Sequence, residues 1–109
     1  MPWIYLALAG LLEIGWAVGL KYSDGFSKPI ASVVTIITMI ASFTLLSFAL
    51  RSIPLGTGYA VWTGIGAVGT AIAGMVLFSE SRDLVRLLCI ALIVVGIIGL
   101  KFTLAADPN

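Results

Sequence analysis

Glu13 is the residue whose type and position call for chemistry. It stands near the middle of an apolar run from Trp3 to Leu20, and no other acid lies within any long apolar stretch of the chain. A charge at that depth costs on the order of 3 kcal/mol on insertion scales, and glutamate is too short to reach water from mid-membrane. Away from water a lone carboxylate holds either a counter-ion or a proton. Two such acids brought together titrate as a coupled pair. One carboxylate for which a proton and a cation compete is itself a device for exchange. Around it, Trp16 follows at i+3 on the same helical face and Gly10 precedes at i−3, leaving room beside the carboxyl. Tyr59 and Trp62 repeat the i, i+3 spacing, and Ser42 offers a hydroxyl at comparable depth in the second run. Phenol, hydroxyl and indole groups donate hydrogen bonds to a buried carboxylate, and aromatic faces attract organic cations.

These side chains need membrane helices to hold them. Of 109 residues 61% are hydrophobic and 10% are charged, whereas soluble domains are about 25% charged. Four apolar runs, expected as helices at about 3–21, 30–50, 55–78 and 84–102, fill a single domain over residues 1–104. Each is close to the ~20 residues that cross ~30 Å of hydrocarbon. They lack the alternation of a barrel strand, so the fold class is all-α integral membrane. The turns carry the punctuation: Asp24-Gly25 with Pro29, then Pro54 with Gly56, then Ser79 to Asp83. Residues 105–109 are expected as a disordered tail. The start carries no basic segment before the apolar run, so the first run is expected to stay as a span rather than be cleaved.

The remaining features mostly exclude. A net charge of +1 with no basic face argues against nucleic acid. With no histidine and a lone Cys89, no metal cluster or disulfide framework is expected, nor any cofactor, and no nucleophile–base set suggests an enzyme. Cys89 reads as a small packing or lipid-facing residue, and Trp3 as an interfacial anchor. Gly64 to Gly69 spell G-x-G-x-x-G, but no strand precedes them and no acid follows at the required distance. Those glycines serve helices instead: Gly66, Thr70 and Gly74 form a small-residue face, and Gly64 with Gly66 offers a point of bending. Gly96 and Gly99 suit helix packing and dimerisation. Lys21, Lys28, Arg82 and Arg86 face one side of the membrane; Arg51, Lys101 and the N-terminal amine face the other. So slight a bias permits insertion in both directions and pairing of oppositely inserted copies.

The chain resembles the small multidrug resistance family over essentially its full length. The carriers are Gly10-Leu11-Leu12-Glu13-Ile14-Gly15-Trp16, Ile53-Pro54-Leu55-Gly56-Thr57 and Tyr59-Ala60-Val61-Trp62-Thr63-Gly64-Ile65-Gly66. Within the family it is most similar to the guanidinium exporter subtype, through Gly19 to Phe26, Trp62 to Ala67 and Gly99-Leu100-Lys101. The resemblance implies an antiparallel, dual-topology homodimer in the bacterial inner membrane that exchanges protons for guanidinium-type cations by alternating access. It implies that Glu13 is the shared proton and substrate carboxylate, with Trp16, Ser42, Tyr59 and Trp62 as the polar network that orients it. Gly58 stands where the family usually has alanine, and Cys89 where multidrug relatives often carry a dimer-contact glycine. Two rivals remain: a broader quaternary-ammonium or polyamine pump of the same family, and a membrane subunit or assembly factor that transports nothing.

Overall fold

The computed structural model describes the backbone of residues 2–106 and the side chains of residues 2–103. Four helices follow one another: α1 (Pro2–Tyr22), α2 (Pro29–Ala49), α3 (Leu55–Leu77) and α4 (Leu84–Ala106). All four are long and apolar enough to cross a membrane. Their ends follow local rules. Pro2 and Pro29 open α1 and α2 at the first helical position, where a missing N–H costs nothing. Asp83 starts α4, its Oδ1 accepting the backbone N–H of Arg86 at 2.8 Å. The α1–α2 turn is tied by Ser23, fully buried, whose hydroxyl donates to the Leu20 carbonyl at 2.7 Å. Three consecutive residues of that turn, Asp24, Gly25 and Phe26, have positive φ, so the chain reverses within a few residues.

α4 runs through Ala106, with no proline between Pro54 and Pro108 to break it. Residues 107–109 lie outside the described residues.

α1 is central, packed against both α2 and α3, whereas α4 lies along α3 and reaches α1 through Lys101, whose Nζ is 5.4 Å from the centre of the Trp3 ring. The buried core gathers at one end of the bundle, where Leu6, Ala9, Leu46, Ala49, Ile53, Val61 and Trp62 meet. The Cα envelope measures 45 × 35 × 17 Å, a slab rather than a barrel of helices. Large apolar side chains such as Ile30, Ile37, Leu92 and Val95 cover its faces. In water such a surface would drive aggregation, whereas in lipid it is the ordinary exterior of a membrane protein. Gly96 and Gly99 face open space, with nothing near the position of a Cβ.

Candidate functional site

Glu13 projects from α1 against α3 at Gly66. A Cβ at Gly66 would coincide with the Glu13 carboxyl group, so the glycine is the notch that houses the acid. Glu13 Oε1 is buried and has no hydrogen-bond partner among the described residues. One turn along α1, the Trp16 indole Nε1 is in the same condition. A buried polar atom left unpaired costs about 1–3 kcal/mol. Here an acceptor and a donor share one stretch of helix, so a ligand, water or second chain would find both ready.

A hydrogen-bonded chain crosses the three helices beside this acid. The Trp62 indole N–H of α3 donates to the Ser42 hydroxyl of α2 at 3.0 Å, and Ser42 donates to the Ala9 carbonyl of α1 at 2.7 Å. Ala9 lies one helical turn before Glu13. Ser42 is fully buried and Trp62 nearly so, at 4% exposure. The sequence reading aimed both donors at the Glu13 carboxyl. Within one chain they instead satisfy each other and a backbone carbonyl, because α2 meets α1 a turn away from the acid.

Aromatic rings extend the same region. Trp16 lies 6.4 Å from Phe43, Phe43 5.4 Å from Trp62, and Trp62 5.5 Å from Tyr59, centroid to centroid. These tilted pairs join α1, α2 and α3 in one band. Tyr59 ends it at 55% exposure, on a face of the slab that nothing in the chain covers. Four residues picked from sequence therefore share one band, though none donates to Glu13 among the described residues. Sequence reasoning missed Phe43, the ring that connects Trp16 to Trp62. An isolated phenylalanine in an apolar run reads as lipid-facing, and only its place beside Ser42 hinted otherwise.

The glycines take different parts from those expected. Gly10 does not leave room beside the carboxyl: a Cβ there would meet the Ile65 side chain at 2.6 Å, so α3 already fills the space. A Cβ at Gly64 would meet the Ile97 side chain of α4 at 2.7 Å. α3 runs as a continuous helix through Gly64 and Gly66, and both glycines serve close approach rather than a break. Gly58 admits the Leu50 side chain, which a methyl group would displace.

A family model described as Small Multidrug Resistance protein matches residues 1–93. The chain belongs to that family. Among curated small multidrug resistance relatives, a guanidinium exporter of Yersinia pseudotuberculosis is 60% identical over 101 residues, covering 93% of this chain and 97% of the relative. A guanidinium exporter of Escherichia coli is 60% identical over 103 residues, covering 94% and 98% respectively. One of Citrobacter freundii is 57% identical over the same length. As a small multidrug resistance protein with four apolar helices, the chain is an integral membrane protein.

Proposed function

We propose that this protein exports guanidinium and small substituted guanidinium cations in exchange for protons, with Glu13 as the carboxylate for which the two compete. The observation that carries this reading is the buried, unpartnered Oε1 of Glu13 in the middle of a membrane span. Guanidinium is planar, permanently charged and surrounded by N–H donors, so it pairs with carboxylate oxygens at two points. The aromatic band of Trp16, Phe43, Trp62 and Tyr59 supplies faces for the flat cation. Relatives named as guanidinium exporters at 60% identity favour that substrate.

The working unit we infer is an antiparallel homodimer in the bacterial inner membrane. A slab 17 Å thick cannot enclose a pathway by itself. The exposed Tyr59 and the uncovered Gly96 and Gly99 face await a second copy. With two copies, the bonded Ser42–Trp62 pair and the exposed Tyr59 wall the space around the acids from both chains, and access alternates as the copies exchange conformations.

Proton release on adding guanidinium to the purified protein in weakly buffered detergent tests the claim. Release from the parent chain and none from Glu13→Gln is the expected pair of results. No release from a well-folded parent chain overturns it. Tetrapropylammonium as the better competitor would favour a broad quaternary-ammonium pump of the same family. Normal cellular behaviour of Glu13→Gln would favour a subunit that transports nothing.

A further inference from the structure

Beyond Glu13, α3 houses a second acid in the same manner. Two turns after Gly66, at i+8, a Cβ at Gly74 would strike the Glu80 carboxyl. Glu80 belongs to the α3–α4 turn and folds back over the helix end, its backbone N–H donating to the Gly74 carbonyl at 3.2 Å. Its Oε1 accepts from the Arg86 guanidinium at 2.7 Å. Between the two notches lies a cavity of about 320 Å³ walled by Ala17 and Lys21 of α1 and by Thr70 and Gly74 of α3, with Glu80 and Arg86 at its outer end. Ala17 and Thr70 are each one turn beyond Glu13 and Gly66 on the same helical faces. The cavity wall at Ala17 and Thr70 is thus one helical turn, ~5.4 Å along the axis, from the residues that hold and house the buried acid.

Two other cations lie near this end. Lys21, which also lines the cavity, has its Nζ 5.7 Å from the centre of the Phe78 ring, and Arg82 donates to the Met75 carbonyl at 3.3 Å. Among the described residues Glu80 is the one carboxylate lining the cavity. Its partner, Arg86, carries a guanidinium head, the same chemical group as the substrate proposed for Glu13. Asp83, at i−3 from Arg86, accepts the Arg86 backbone N–H at 2.8 Å and the Ser81 hydroxyl at 3.2 Å, and it is the carboxylate nearest in sequence to that side chain.

The geometry points to Glu80 as an outer docking carboxylate for guanidinium, latched by Arg86 until the free cation takes its place and opens the cavity toward Glu13. This rests on the reading of Glu13 as the cation site but is tested separately from it. Guanidinium competes for Glu80 with two N–H donors and no tether; Arg86 turns to Asp83; the passage along Thr70 admits water and ion.

The test is thiol labelling. Cys89→Ser removes the one native thiol, Thr70→Cys places a reporter in the cavity wall, and Ser27→Cys reports on the exposed α1–α2 turn at the same end. A membrane-impermeant maleimide is expected to label Thr70→Cys about fivefold faster once Glu80→Gln or Arg86→Gln breaks the pair, an exposed pair contributing up to about 1 kcal/mol. The swapped pair Glu80→Arg with Arg86→Glu is expected to restore the slow rate, with Ser27→Cys unchanged throughout. Having two single variants guards against one failing to fold. In a Glu13→Gln background guanidinium is expected to speed labelling, and tetramethylammonium, which lacks N–H donors, is not. Equal rates with and without the pair overturn the latch; no response to guanidinium in that background overturns the docking role. Failure of the parent chain to release protons would instead overturn the reading of Glu13 and leave the labelling result standing.

Discussion

At the scale of single residues, the decisive pairing is an acid and a glycine. Glu13 occupies the space that any side chain at residue 66 would need. Gly66→Ala is therefore expected to cost about 1–3 kcal/mol through overpacking, read as a fall in thermal stability in detergent, and to displace the acid. Glu13→Gln is expected to keep the fold, since the amide matches the shape of the acid, while abolishing guanidinium-evoked proton release. The pH dependence follows from competition. Each proton bound excludes one cation, so the apparent affinity for guanidinium is expected to weaken as pH falls, by up to about tenfold per unit for one exchanged proton. Isothermal titration across a pH series checks the sign; an affinity that stays flat would remove the exchange reading.

At the scale of elements, α1 is held by both neighbours through different chemistry. α2 reaches it with a hydroxyl, Ser42, and α3 meets it with glycine notches at Gly66 and Gly69, the latter admitting Ile14. Ser42→Ala leaves the buried Trp62 N–H without its acceptor and is expected to destabilise by about 1–3 kcal/mol. Adding Trp62→Phe should then remove much less than it does alone, because the shared bond is already lost. A double-mutant cycle by thermal unfolding measures that coupling. α4 packs mainly on α3, through Ile93 and Ile97 against Gly64, and reaches α1 through Lys101 over the Trp3 ring.

At the scale of the whole molecule, the chain is a thin plate with α4 packed on α3 at its edge. Gly96→Leu adds bulk where the chain has open space, so no loss of helical content is expected. If α4 joins two copies, the same change is expected to shift the protein from dimer to monomer in detergent, measured by cross-linking or light scattering. Retention of a full dimer would move the contact to another surface. In the single chain Tyr59 is exposed and the Trp16 indole N–H has no partner among the described residues.

The sequence alone determined that four helices cross the membrane and that Glu13 is the residue to explain, because both follow from one-dimensional facts: run length, hydropathy, and a single acid in an apolar stretch. Trp16, Ser42, Tyr59 and Trp62 were legible as a set by residue type and spacing. Their bonding was not. Whether Ser42 reaches a carboxylate or the Ala9 carbonyl depends on how α1 and α2 are offset along their axes, and periodicity within one helix says nothing of offset between two. The same limit hid Phe43 and assigned Gly10 to an empty space that Ile65 fills. It concealed as well the second notch at Gly74, since only the return of the α3–α4 turn over its own helix brings Glu80 there. Lipid solvation and helix length act locally and are written in order along the chain; the rotation and slide of one helix against another are settled by side chains distant in sequence, and only the packed structure decides them.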